Sequence, residues 1–428
     1  MKVEELYELF VKHPAVTTDS RNCPEGSIFF ALKGEHFDGN RFAEKALASG
    51  CSYAVIDDPA CFTGERTIQV ENVLDMLQRL ALYHRMTLNI PVLAITGTNG
   101  KTTTKELVAA VLSTRFNVLY TEGNLNNQIG VPLTLLRLND THEMAVIEMG
   151  ASRPGDINEL TGIAQPDYGM ITNVGQAHLE GFKSFGNVLK TKGELFDYLR
   201  YIDGTAFLKK EDLQLQSIAD GINKITYGSD KNAFVSGQIA GNDPFLVFRW
   251  KLQQGETHTV KTRLIGGYNI DNVLAAVTIG SYFNIPPAEI NRAIESYTPS
   301  NNRSQWKKTY RNHLIVDAYN ANPTSMKIAL ENFAALPRLP KAVILGDMLE
   351  LGRSGKRMHM EIAGLLKTLR FHEVLLCGDL FFHSTKHFRV FRTTDDLADY
   401  LKEHPLKGYN ILLKGSRGMA LETVLKYL

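Results

Sequence analysis

The segment Ile95-Thr96-Gly97-Thr98-Asn99-Gly100-Lys101-Thr102-Thr103 has the residue types that hold a triphosphate. Glycines at 97 and 100 let backbone N–H groups approach phosphate oxygens with no Cβ in the way. A lysine at 101 can neutralise the β- and γ-phosphates, and the Thr102 hydroxyl can ligate Mg²⁺. Gly97, Thr98, Asn99, Gly100, Lys101, Thr102 and Thr103 are therefore the candidate nucleotide contacts. The chemistry requires a strand before the turn and a helix after it, so that the helix N-terminus faces the anion. Residues 91–95 are an apolar run fit for a buried strand, and 104–112 has helical patterning. The spacing departs from the usual phosphate loop at one place, Ile95, where a glycine is expected. The plain alternative is a glycine turn with a solvated lysine. The flanking strand and helix favour the phosphate site.

Four further clusters lie at predicted strand exits or on helices. Glu148 ends the run 144–148, at the sheet edge that faces the ligand crevice in an open α/β fold. It reads as a Mg²⁺ ligand or as a strand-end carboxylate in water. His178, in Thr172-Asn173-Val174-Gly175-Gln176-Ala177-His178-Leu179-Glu180, reads as a metal ligand or a loop histidine. Lys192, in Lys190-Thr191-Lys192-Gly193-Glu194, reads by itself as part of a solvated helix face. In Asp317-Ala318-Tyr319-Asn320-Ala321-Asn322-Pro323-Thr324-Ser325, the turn is set by Asn322-Pro323, and Thr324 or Ser325 is expected to cap the next helix. Asp317, Tyr319, Asn320 and Asn322 exceed what a turn requires and are candidate ligand contacts.

These clusters need a scaffold, and the sequence supplies one. The chain has 428 residues, 44% hydrophobic and 22% charged, which suits about three globular domains and excludes disorder. A net charge of +1 gives no general attraction to nucleic acid or anionic lipid. Cys23, Cys51, Cys61 and Cys377 have no CxxC spacing, so no zinc knuckle or redox dithiol is expected. The opening Met1-Lys2-Val3-Glu4-Glu5-Leu6 is acidic and amphipathic, unlike a signal peptide, and no apolar run reaches the length of a membrane span. A cytoplasmic enzyme, likewise without a membrane or nucleic-acid partner, is the expectation. Strand-like runs at 27–32, 53–56 and 67–70, then a helix over 73–85, make an opening α/β domain, 1–86. Residues 87–300 alternate strands at 118–121, 144–148 and 169–173 with helical sequence, the pattern of a doubly wound parallel sheet. Runs at 245–252 and 258–264 predict a small antiparallel addition. After a polar linker near 296–302, strands at 314–316, 342–345, 373–376 and 410–413 alternate with helices at 324–336, 358–369 and 394–403. This is a C-terminal Rossmann-like domain, 301–428, and a cleft between two α/β units is a favoured ligand site.

Taken together the motifs resemble the Mur ligases, the ATP-dependent amide-bond-forming enzymes of peptidoglycan synthesis. The resemblance runs over essentially the whole chain. The phosphate loop and the stretch 172–180 mark the superfamily. Four other segments resemble the class that adds the terminal dipeptide: 123–132, 317–323, Leu345-Gly346-Asp347-Met348-Leu349-Glu350-Leu351-Gly352, and Lys414-Gly415-Ser416-Arg417. The resemblance implies a UDP-substrate domain, a central ATP-binding domain, and a last domain that binds the incoming dipeptide and closes over ATP. It implies ligation of D-alanyl-D-alanine to UDP-N-acetylmuramoyl-tripeptide through an acyl phosphate, by a monomer.

By the same resemblance, Lys101 and Thr102 match the phosphate-loop pair. Thr102, Glu148, His178 and Lys192 match metal ligands, with Lys192 carbamylated by CO₂ and serving the second of two Mg²⁺ sites. Lys101, Lys192, His178 and Glu148 form the catalytic set. Asn269 matches an adenine contact, Arg303 a phosphate contact from the linker that engages on closing, and Asp317 a ribose or nucleotide contact. Thr18, Asp19, Ser20 and Arg21 match a uridine-diphosphate turn, with Lys33-Gly34 and Phe37-Asp38-Gly39 as its companion loop. Asn124, Asn126 and Asn127 match contacts to the peptide-bearing substrate, and Tyr319, Asn320 and Asn322 lie where dipeptide and nucleotide meet. One departure is Tyr268, where the family usually has His before the adenine-site Asn. Two other readings compete. A sibling amide ligase, another Mur ligase or a folylpolyglutamate synthase, is disfavoured by 317–323 and the paired asparagines near 126. A silent nucleotide-binding protein is disfavoured by the joint presence of Lys101, Thr102, Glu148, His178 and Lys192, none of which folding requires.

Overall fold

The computed structural model describes residues 1–176, 179–300 and 302–428, with Leu179 described by its backbone alone. Three main sheets follow one another along the chain. The first has four parallel strands, in the order Val16–Thr17, Ile28–Phe30, Tyr53–Ile56, Thr67–Gln69, with a hairpin of Lys33–Gly34 and Phe37–Asp38 beside it. The helix Val73–Leu88 leaves this unit. The Asn72 side chain caps it by accepting from the Asp75 N–H, and Asn89 ends it in the left-handed region. Its buried residues fall at 73, 76, 77, 80, 81, 84 and 85, one continuous stripe at helical spacing. That stripe packs on the helices Val3–Lys12, Gly130–Leu135 and Asp156–Ala164, so the opening unit shares its core with the central one.

The central sheet has nine strands. From one edge the order is Val118–Tyr120, Met144–Glu148, Val92–Thr96, Tyr168–Ile171, Thr205–Lys209, Asn223–Gly228, Val235–Asn242, Phe245–Leu252, His258–Ile265. Pairings are parallel as far as Val235–Asn242, and the last three strands form an antiparallel meander. The expected antiparallel addition therefore extends the parallel sheet itself. Val92–Thr96 and Met144–Glu148 are buried at every position, which is why they read as unbroken apolar runs. Val92 and Ala94 face the helices Asp156–Ala164 and Phe185–Tyr201, while Leu93 and Ile95 face Lys101–Leu112 and Ile270–Tyr282. The third sheet runs Gln305–Lys308, His313–Asp317, Asn410–Lys414, Lys341–Gly346, Glu373–Cys377, Arg389–Phe391, all parallel except the first pair. Its register sets Asp317 beside Lys414 and Lys414 beside Leu345, so three loop-bearing strand ends lie side by side.

The joint between opening and central units is polar as well as apolar. Arg85 is buried, its Nε donates to Ala164 O (3.2 Å), and its Nη2 donates to Gln165 O and Asp167 Oδ2 (both 3.1 Å). Asp167 Oδ2 also accepts from the Val92 N–H at 2.8 Å, which ties this group to the strand that carries the phosphate loop. Replacing Arg85 with Ala takes this donor from two helix-end carbonyls, while the half-exposed Asp167 carboxylate keeps its Val92 bond. The urea-unfolding transition of Arg85→Ala is expected to lose about 3 kcal/mol. Removing Arg79, whose contact with Asp75 is long (3.6 Å) and exposed, is expected to change it by less than about 0.5 kcal/mol.

Candidate active site

The loop Gly97–Gly100 joins a strand buried on both faces to the helix Lys101–Leu112. Its shape is fixed by the next strand exit. Thr172 Oγ1 donates to Asn99 O (2.7 Å), Asn173 Nδ2 donates to the same oxygen (2.9 Å), and Asn99 N–H donates to Asn173 Oδ1 (3.0 Å). Gly97 has φ +138° and a Cβ there would run into Thr172 Oγ1; Gly100 has φ +80° and a Cβ would lie 2.7 Å from Asn272 Oδ1. Both glycines are therefore required by conformation and by space. Lys101 Nζ folds back on the loop and donates to Gly97 O (2.7 Å) and Thr98 O (3.3 Å). Thr102 is buried at the helix start, and Thr103 is half-buried.

Beside the loop, Glu148 is 2% exposed. Its Oε1 accepts from Asn126 Nδ2 at 2.8 Å, while its Oε2 has no hydrogen-bond partner. An unpartnered buried carboxylate oxygen costs about 1–3 kcal/mol or more, and a hard cation is the partner that suits it. Lys192 is buried on the helix Phe185–Tyr201, with its Nζ 6.0 Å from the centre of the Phe182 ring, so the sequence-based default of a solvated face is wrong for this lysine. Burial drives its ammonium well below the ordinary lysine range, and the neighbouring Lys101 charge pushes the same way. Burial lowers Lys101 too, with Glu148 opposing and Arg303 assisting. The Lys192 helix is pinned by Glu194, which accepts from Gly155 N–H (3.0 Å) and Asn158 N–H (2.8 Å) of the preceding helix. His178 lies outside the described residues. Among the described residues, no group of three or more His, Cys, Asp and Glu side chains is placed to hold a metal ion. The oxygen donors present, the free Glu148 oxygen and the Thr102 hydroxyl, suit a hard cation such as Mg²⁺, and the desolvated amine of Lys192 lies on the neighbouring helix.

The last domain meets the loop directly. Asn322 Nδ2 donates to Asn99 Oδ1 at 2.8 Å. Asn322 also caps the helix Pro323–Ala335, accepting from Ser325 N–H at 2.8 Å while Ser325 Oγ accepts from Asn322 N–H. The cap expected at Thr324 or Ser325 thus falls earlier, on Asn322, two residues before Thr324. Pro323 fills the first helical position and holds the residue before it extended. Asp317 Oδ2 accepts from the buried Lys414 Nζ (2.6 Å), and its Oδ1 accepts from Ser304 N–H (3.2 Å). Arg303 lies over the Tyr319 ring, Cζ 3.8 Å from the centroid, and its Nε is buried without a partner. Asn320 is exposed, its Oδ1 accepting from Ala321 N–H. Tyr268 Oη is 2.6 Å from Ser304 Oγ, a second bridge between the units. Asn269 is buried, donating to Ile265 O and accepting from Asn272 Nδ2, both at 2.8 Å.

Other predicted residues are used in ways their spacing did not reveal. Asn127 Oδ1 accepts from Ile129 and Gly130 N–H and so starts the next helix; Asn124 is exposed. Asp19 and Arg21 form a bidentate pair (2.8 and 2.9 Å) that holds the Asp19 carboxyl at about 2, with Thr18 and Ser20 half-buried between the strand and that pair. In the companion loop, Lys33 pairs with Asp57 at 2.9 Å. Among the described residues, Thr18, Asp19, Ser20 and Arg21 make no hydrogen bond or ion pair with the phosphate loop. Two supporting residues escaped the sequence reading. Lys105, buried one turn after Lys101, donates to Thr121 O at 2.6 Å, while Thr121 Oγ1 accepts from Glu148 N–H at 2.9 Å. Asn272 accepts from Thr104 Oγ1 (3.1 Å) beneath Gly100. The i, i+4 lysines and the Asn-x-x-Asn pair on a helix were the available signals.

With this geometry in hand, comparison with known proteins is informative. Residues 14–85 match the catalytic-domain model of the Mur ligase family, 95–280 the Mur ligase middle domain, and 302–417 the Mur ligase glutamate ligase domain. The chain is 35% identical to the UDP-N-acetylmuramoyl-tripeptide–D-alanyl-D-alanine ligase of Bacillus subtilis, over 98% of this chain and 94% of that protein. A crystal structure of MurF from Acinetobacter baumannii superposes with a TM-score of 0.87 at 29% identity, covering 96% of this chain and 92% of that one. The MurF ligase from Thermotoga maritima in complex with ADP superposes with a TM-score of 0.87 at 26% identity, covering 100% and 98%. A phosphate loop closed by a polar contact from a C-terminal Rossmann-like domain, matched end to end by these models and relatives, makes this chain a member of the Mur ligase family.

Proposed function

We propose that this chain joins D-alanyl-D-alanine to UDP-N-acetylmuramoyl-tripeptide at the expense of ATP. The observation that carries the reading is the Asn322–Asn99 bond of 2.8 Å, through which the domain expected to deliver the dipeptide touches the loop expected to hold the triphosphate. The full-length likeness to a Bacillus subtilis enzyme named for this reaction supports it over a sibling ligase.

The steps follow from the residues. The terminal carboxylate of the tripeptide attacks the γ-phosphorus of ATP in line, and ADP leaves. Lys101 leaves its two carbonyl partners and sets its ammonium against the β/γ-phosphates, offsetting charge as the phosphoryl group moves. Arg303, with its unpartnered Nε, adds a second cation from the closing domain. The acyl phosphate is then attacked by the dipeptide amine, and phosphate leaves the tetrahedral intermediate. Water is excluded by the closed contact between Asn99 and Asn322 and by the Tyr268–Ser304 bridge. Thr102, Glu148, His178 and a carbamylated Lys192 would hold Mg²⁺, which when bound supplies Lewis-acid charge stabilisation for phosphoryl transfer. The lowered proton affinity of Lys192 provides the neutral amine that CO₂ requires. Asn269 retains one Nδ2 proton for adenine, and Asp317 faces the ribose side. Thr18, Asp19, Ser20 and Arg21 serve the uridine diphosphate, and Asn124, Asn126, Asn127, Tyr319 and Asn320 serve the peptide ends. The three-domain division at 86 and 300, a monomeric state and a cytoplasmic location complete the reading. Among the described residues no helix is long and apolar enough to cross a membrane.

Lys101→Ala should lower kcat on the order of a thousandfold in an ADP-release assay while UDP-tripeptide affinity by calorimetry stays within about twofold. Full turnover in that variant would place the nucleotide elsewhere. Lys192→Ala should be inactive and partly rescued by formate or acetate. Under ¹³CO₂ the wild-type protein should show a carbamate carbon resonance that Lys192→Arg lacks. A wild-type spectrum without that resonance would remove the carbamate from the mechanism.

A further inference from the structure

The strand exit Lys414-Gly415-Ser416-Arg417 spends three of its residues on the scaffold. Lys414 is paired with Asp317. A Cβ on Gly415 would lie 3.0 Å from the Gly346 backbone. Ser416 Oγ accepts from Leu349 N–H (2.9 Å) and donates to Ala321 O (3.4 Å). Arg417 differs. It is exposed, it has no carboxylate partner among the described residues, and its Cζ sits 5.6 Å from the centre of the Tyr319 ring. The same ring carries Arg303 at 3.8 Å.

Building on the functional reading above, we propose that Arg417 is a specificity-determining residue that binds the free carboxylate of the incoming dipeptide. An acceptor of this class has two ionic ends. Its amine must reach the activated carbonyl, and its carboxylate then needs a cation on the same side of the cleft. Lys414 is already neutralised by Asp317, and Arg303 faces the loop, where its charge is felt by Lys101. Arg417 is a guanidinium at these strand ends that nothing has claimed. Sharing the Tyr319 ring, the two guanidiniums are at most roughly 10 Å apart, and a two-residue chain spans about 7 Å. A dipeptide can thus hold its amine on the Arg303 side and its carboxylate on Arg417. The planar fork suits a carboxylate in bidentate geometry, and the aromatic face keeps its plane oriented.

The test compares D-alanyl-D-alanine with D-alanyl-D-alaninamide, which lacks the negative charge. Wild-type kcat/KM should favour the acid by roughly 30-fold. Arg417→Ala should lose about that factor on the acid, through the acceptor KM, and little on the amide, so that the preference collapses. Arg417→Lys should restore part of it, and the KM for ATP should stay put. Equal thermal unfolding midpoints for wild type and variants exclude a folding effect, and the acid-to-amide ratio is in any case internal to each protein. A variant that keeps the wild-type ratio, or a wild type indifferent to the amide, overturns the assignment alone. A wild type that ligates neither acceptor overturns the functional reading, and the assignment with it.

Discussion

Positive charge buried beside the half-partnered carboxylate of Glu148 is the constraint on which the rest of the structure turns. Lys101, Lys192 and Arg303 converge on the phosphate loop; Asp156, Glu194 and Glu148 counter the charge at Lys192, and Glu148 leaves one oxygen bare. Burial weakens solvent screening, so like charges there repel strongly, and the lysines respond by holding their protons less tightly. Such a site favours anions, and an ATP-derived triphosphate tail is the anion that a Mur ligase brings to it. The fold makes the convergence possible because Val92–Thr96, Met144–Glu148 and Tyr168–Ile171 are adjacent parallel strands, whose exits open on one crevice.

The last domain meets the central one through apolar packing, with Ile265 and Phe245 set against its core, through the Arg338–Asp243 pair (2.9 Å), and through a few neutral polar contacts. Asn99–Asn322, Tyr268–Ser304 and Gly267–Asn332 are single hydrogen bonds between the central unit and the linker or last domain. Each is worth about 1 kcal/mol net, so these three bonds add direction to the contact more than strength. Asn302 and Ser304 take left-handed backbone angles, φ 53° and 45°, in the linker itself. Local backbone conformations of that kind are where a chain absorbs a hinge rotation. Tyr268 belongs to this contact. Its hydroxyl is spent on the Ser304 hydroxyl, 2.6 Å away.

Much of this was legible in the residues. Met144–Glu148 and Phe245–Leu252 were bounded as they fold, because apolar runs between polar breaks leave little choice. The phosphate loop was legible because its glycines answer to sterics that no other residue satisfies. What stayed hidden was partnership across long sequence separations. Nothing in the lysine-rich helix around residue 192 announces that one of its lysines is enclosed by Phe182 and the loop. Nothing near 126 shows that its amide will hold Glu148 in place. The cap falls on Asn322, two residues before Thr324, because a proline at the first helical position holds its predecessor extended. The roles expected of Lys192 and Asn269 rest on family likeness, since local pattern carries no signal for them.

The account stands on a carboxyl group being activated by phosphoryl transfer inside this cleft. Its most direct measurement uses UDP-tripeptide labelled with ¹⁸O in both oxygens of the terminal carboxylate, with ATP and D-alanyl-D-alanine. Attack of that carboxylate on the γ-phosphorus carries one labelled oxygen into the acyl phosphate bridge, and the amine then displaces it with the phosphate. Every phosphate released should contain one ¹⁸O and every new amide should retain one. Unlabelled phosphate accompanied by amide formation would contradict the account at its centre.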